Sequence, residues 1–120
     1  MESGTISPGR LAIRCIRPDL TGDRNRDEQQ MTEIGVLLGY AVDEVVVVLD
    51  PSREWPLITI ENALNRTKAD AVIVPDLEHI DGLERPIRER AQLITVEGEK
   101  ILERAGLTAE LAQAARADTT

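Results

Sequence analysis

The sequence predicts an α/β fold: an open, mostly parallel four-stranded sheet flanked by helices in three layers, in the order β-α-β-α-β-α-β-α. Three observations predict it. Apolar residues make up 42% of the chain, yet they include one Trp, one Tyr and no Phe. The core is therefore built from Val, Ile, Leu and Ala, a composition suited to packed layers of strand and helix. Two segments, around Val45–Val48 and Ala71–Val74, are uninterrupted β-branched or apolar runs, the pattern of strands covered on both faces. Between such runs, apolar residues recur every three or four positions, which places them on one face of a helix.

The elements follow in order. Leu11–Ile16 reads as a short strand, ended by Pro18 and Asp19, and Thr21–Arg26 as a polar loop. From Asp27 to about Tyr40, the spacing of Met31, Ile34, Leu37, Leu38 and Ala41 predicts a helix. Gly35 costs this helix about 1 kcal/mol relative to Ala and allows close approach to the sheet, while Gly39 stands where a C-terminal cap is expected. Glu44–Leu49 is the second strand, stopped by Asp50 and Pro51. A second helix, from about Leu57 to Thr67, buries Leu57, Ile60, Ala63 and Leu64, and Pro56 before it fits a first turn, where its missing N–H costs nothing.

Ala71–Val74 is the third strand, closed by Pro75 and Asp76. A short helix around Leu83–Arg90 carries Pro86, so it is a single turn or restarts there. Gln92–Val96 is the fourth strand. Gly98–Ala105 reads as a helical turn or two stopped by Gly106, and Thr108 is a good N-cap for a last helix through Ala115. Residues 1–9 read as a flexible leader, 10–115 as one domain and 116–120 as a tail.

Composition narrows the function classes. The formal net charge is −8, a poor match to nucleic acid, whose affinity for proteins comes mainly from Lys and Arg displacing counterions. Charge is uneven, however: Arg10, Arg14, Arg17, Arg24 and Arg26 make the first quarter locally basic. Arg14 and Arg17 are candidates for contact with an anion or a partner; the alternative is a solvated arginine-rich loop. The single cysteine, Cys15, forms no internal disulfide and reads as a small buried hydrophobe. No apolar run approaches membrane-spanning length, and no secretory signal is evident. A cytoplasmic setting without membrane association is expected.

In open α/β sheets ligands sit beyond the carboxyl ends of the strands. Those ends hold Arg17 and Asp19, then Asp50, then Asp76, Glu78 and His79, then Glu97. Asp50, Asp76, Glu78 and His79 form a candidate rim. Two or three of its carboxylates could take a hard cation such as Mg²⁺; the plainer role is capping of the helices that follow. A phospho-acceptor aspartate would need a strand-end lysine, and neither Lys68 nor Lys100 falls at a predicted strand end. His79, the only histidine, has no serine or cysteine placed beside it as a nucleophile. No glycine-rich phosphate loop is present. No metal or cofactor is expected.

Together, the Leu11–Ile16 strand, Asp27-Glu28-Gln29-Gln30, Gly39, Val45–Asp50, Trp55-Pro56-Leu57 and the run from Asp70 to Gly82 resemble the catalytic domain of serine recombinases, the resolvase and invertase group, over about residues 10 to 98. The family segment Asp-Val-Val-Leu-Val-x-x-Leu-Asp-Arg-Leu-x-Arg aligns without gaps on Asp70–Gly82. The resemblance implies a parallel α/β scaffold and DNA phosphoryl transfer, but the departures fall on the reactive positions. The family's serine corresponds to Ile16 or Pro18, its aspartate to Glu78, and its two arginines to His79 and Gly82; Arg14 matches the first-strand arginine in one register. Phosphoryl transfer depends on positioning and charge stabilisation, so loss of the nucleophile together with both cations removes that activity.

The expected function is a catalytically inactive resolvase-like domain acting as an interaction or regulatory module, with a protein partner or itself as a homodimer. Two alternatives stand beside it: a small metal- or small-molecule-binding enzyme using the acidic rim, and residual DNA association through the N-terminal arginines.

Overall fold

A computed structural model describes residues 10–50 and 55–104. Five strands form one mixed sheet in the order β2-β1-β3-β4-β5: β1 (Leu11–Ile16), β2 (Ala41–Val48), β3 (Ala71–Val74), β4 (Gln92–Thr95) and β5 (Lys100–Leu102). The first four run parallel and β5 returns antiparallel to β4. The α/β class stands, with one strand more than the four-stranded sheet expected.

Helices lie on both faces. One face holds α1 (Arg24–Leu37), whose Met31 and Ile34 pack on Ala12, Ile16, Ala71, Ile73 and Ile94. The other holds α2 (Pro56–Thr67) and the short α3 (Glu84–Arg88). There Ile60, Ala63, Leu64 and Ile87 pack on Ile13, Cys15, Val72, Val74 and Leu93. β3 lies at the centre, and all of its residues are buried, as a parallel strand covered from both sides requires.

Local chemistry explains the boundaries. α1 begins at Arg24 rather than Asp27, because the Asp23 side chain caps it by accepting the Arg26 N–H at 3.1 Å. The helix ends before Gly39, whose φ of +89° is the left-handed turn expected of a helix C-terminus. Leu37 is exposed and Ala41 belongs to β2, so the apolar stripe of α1 is shorter than its spacing suggests. Gly35 allows the close approach expected of it: a Cβ there would meet Val42 Cγ2 at 2.6 Å and Ile73 Cδ1 at 2.8 Å. α2 opens at Pro56, with Leu57, Ile60, Ala63 and Leu64 facing the core as predicted.

Two expectations are corrected. β2 is an edge strand and is not covered on both faces: Val45 and Val48 remain 55% and 42% exposed. A valine run specifies strand, but the position of that strand in the sheet depends on neighbours that the run does not encode. The segment after Gly98 is a strand, not a helix. Gly98 and Glu99 take φ values of +72° and +47°, which reverses the chain and lays Lys100–Leu102 against Thr95–Leu93. The predicted helix from Thr108 through Ala115 lies outside the described residues, as do the leader and the tail.

Candidate functional site

The chain leaves β1 for β2 on one side and β3 for β4 on the other, with α1 and α3 on opposite faces. The carboxyl ends of the adjacent strands β1 and β3 therefore mark the switch point at which α/β sheets open a crevice for ligand. A cleft of about 340 Å³ lies there, lined by Arg17, Leu49, Asp50, Pro56, His79, Ile80, Asp81 and Leu83.

The polar groups at this cleft are largely committed to one another. After β3, Asp76 caps a 3-10 turn, Leu77–Ile80, by accepting the Glu78 N–H at 2.9 Å. That turn carries His79 inward until it is 3% exposed. Its Nδ1 accepts the backbone N–H of Arg17 at 2.9 Å, so the neutral imidazole carries its proton on Nε2. Burial pushes its pKa below 6.5, against the opposing pull of Asp76, Asp27 and Asp19. Arg17 grips Asp19 with two bonds, Nε to Oδ1 at 3.2 Å and Nη2 to Oδ2 at 2.7 Å. Those bonds hold the Asp19 carboxyl below the usual carboxylate range.

The predicted rim divides. Asp50 and His79 line the first cleft. Asp76 and Glu78 line a second, of about 190 Å³, with Leu77, Thr95, Glu97 and Lys100. Among the described residues no three of His, Cys, Asp and Glu converge on a point that would hold a metal ion. Lys100, which sequence reasoning placed away from any strand end, opens β5 opposite Thr95 at the end of β4. The turn-forming Gly98 before the apolar pair Ile101-Leu102 was its available signal. Asp81 was also missed as a cleft group; Asp19, named at the end of the first strand, was not recognised as the partner of Arg17, for which their spacing was the available sign.

Arg14 is built into the fold. Between the pairs Ala12–Val42 and Arg14–Val46, β2 contains two extra residues, Asp43 and Glu44. Arg14 Nη2 donates to both of their carbonyls, at 3.1 and 2.7 Å, and Nη1 donates to Thr32 Oγ1 at 3.0 Å. Without that guanidinium the bulged carbonyls would lose their side-chain donor. Other arginines of the basic quarter are also engaged: Arg10 with Tyr40 and Gln92, Arg24 with Glu28.

Cys15 is fully buried in β1, and burial pushes its thiol up to about 12. At neutral pH it carries no thiolate with which to attack a substrate. Among the described residues the lining of the first cleft contains neither hydroxyl nor thiol. Among the described residues no helix is long and apolar enough to cross a membrane. Comparison with protein-family models, with curated proteins and with solved structures finds no match.

Proposed function

We propose that this chain is a catalytically silent, resolvase-like α/β domain that works as a cytoplasmic interaction or regulatory module. The observation that carries the reading is the state of the switch-point crevice. His79, which stands where the recombinase resemblance puts a phosphate-binding arginine, is turned inward as a hydrogen-bond acceptor for Arg17. Arg17 is itself held by Asp19, and among the described residues no nucleophilic side chain lines the cleft. A site for phosphoryl transfer needs the opposite: an attacking hydroxyl, and cations aimed outward at the phosphate.

The engagement of Arg10, Arg14, Arg17 and Arg24 with groups of the chain itself and the net charge of −8 turn the reading away from DNA and toward a polypeptide partner. Supercoiled plasmid incubated with the chain and quenched in detergent is expected to stay supercoiled and free of protein. A covalent protein–DNA adduct would overturn catalytic silence. Salt-resistant DNA binding would overturn the choice of partner class.

A further inference from the structure

β2 pairs, among the described residues, with β1 alone. Leu49 N–H donates inward to Ile16 O at 2.8 Å. Backbone groups alternate sides along a strand, so the N–H and C=O of Val46 and Val48 point away from the sheet. Open edges are usually guarded by lysine, proline or a bulge. Here the guard covers only the first half of the strand. Asp43 and Glu44 form the bulge, and Asp43 Oδ2 takes the Val45 N–H at 3.1 Å. From Val46 to Val48 the strand runs in unbroken register with β1, and from Val45 to Val48 the edge carries no lysine or proline, with Val45 and Val48 exposed.

Charge selects the occupant. The acidic side chains of Asp43 and Glu44 stand at the head of this edge, while Arg14, the cation beside them, is turned inward onto their carbonyls. We propose that β2 accepts an added strand from a partner polypeptide: an extended segment of consecutive β-branched residues, presenting one to each face of the sheet, with Lys or Arg beside them. Main-chain bonds to Val46 and Val48 would supply the docking, side chains against Val45 and Val48 the apolar contact, and the basic residues the selectivity. A second copy of this chain is a poorer occupant, since each copy carries a net charge of −8. The inference rests on the reading of the chain as an interaction module and names the surface and the chemistry of the partner.

The test uses the full chain with three synthetic peptides. The first is Lys-Thr-Val-Thr-Val-Thr-Lys, the second replaces both Lys by Glu, and the third is the Lys peptide N-methylated at alternate amides. The Lys peptide is expected to bind, to slow hydrogen exchange at the Val46 and Val48 amides, and to bind about tenfold or more tightly than the Glu peptide, because like charges at an interface are strongly disfavoured. The N-methylated peptide is expected to lose binding, and Glu44→Lys to reduce the preference for Lys over Glu. Glu44 is exposed, so an unchanged thermal midpoint verifies that this variant folds. Equal binding of the Lys and Glu peptides, binding that leaves Val46 and Val48 unprotected, or no binding at all would overturn the proposal. Dimerisation of the chain alone that protects the same two amides would assign the edge to a second copy and overturn the occupant. The plasmid experiment does not involve this edge, so failure here and failure of catalytic silence are read separately.

Discussion

The backbone N–H of Arg17 and Nδ1 of His79 meet at 2.9 Å, across 62 residues of sequence. This one bond ties the end of β1 to the turn after β3, at the switch point where the cleft lies. It also fixes the ionisation state of the histidine, because an accepting Nδ1 carries no proton.

Stability is expected to fall in mild acid. Burial holds the His79 pKa below its ordinary 6.5, so below that pH the unfolded chain takes up a proton that the native chain resists. The contribution is fully present above about pH 6.5 and is lost as pH falls through the depressed native value. Urea midpoints at pH 8 and pH 5 check it. In His79→Gln the part of the pH dependence between those values that belongs to His79 should disappear.

Arg14→Met keeps an unbranched apolar stem but leaves the Asp43 and Glu44 carbonyls without their donor. Loss of such bonds costs about 1–3 kcal/mol. Arg14→Lys is expected to recover only part of it, because one ammonium does not reproduce the fork that reaches Thr32 and both carbonyls. Equilibrium denaturation of the two variants gives the comparison.

Gly35→Ala sets helix propensity against packing. Alanine gains about 1 kcal/mol in a helix interior, while its Cβ would lie 2.6 Å from Val42 Cγ2 and 2.8 Å from Ile73 Cδ1. Overpacking a filled core costs about 1–3 kcal/mol, so a net loss of stability is expected, read as a lower thermal midpoint. A higher midpoint would mean that α1 does not press on the sheet at this glycine.

The Cys15 thiol is expected to be inert toward a neutral-pH thiol reagent in the native state and to react once denaturant unfolds the chain. Burial and the upward shift to about 12 both act in that direction. A thiol-reactive dye followed by absorbance with and without urea measures it.

Mg²⁺ or Mn²⁺ is expected to leave the thermal midpoint within about one degree, since specific binding to the native state would raise it. Asp50 and His79 face one cleft, and Asp76 and Glu78 the other. A rise of several degrees, abolished by Asp76→Ala, would restore the metal-binding alternative.

Much of the fold was legible because period and punctuation carry it. The apolar run Ala71–Val74, the stripe of Ile60, Ala63 and Leu64, and Gly39 at the end of a helix each specify local structure by their own chemistry. What was illegible depended on neighbours. The valines of β2 encode a strand but not its place at the edge of the sheet. Lys100–Leu102 is too short to show a strand before a partner is known. Of the candidate site, Asp50 follows β2, and Asp76, Glu78 and His79 follow β3. Their division between two clefts and the inward turn of His79 follow from a 3-10 turn that four residues, Leu77–Ile80, do not announce. Arg14, a candidate contact for an anion or a partner, donates in the structure to the backbone of the next strand, a role that its place in the sequence did not show.

Nitrogen-resolved NMR of the single imidazole, combined with hydrogen exchange at the Arg17 amide, probes the Arg17–His79 bond at the crevice most directly. At pH 7.5 the account predicts a proton on Nε2, a bare Nδ1 and a slowly exchanging Arg17 N–H. A proton on Nδ1, or an Arg17 amide that exchanges as freely as in an unfolded peptide, would contradict it.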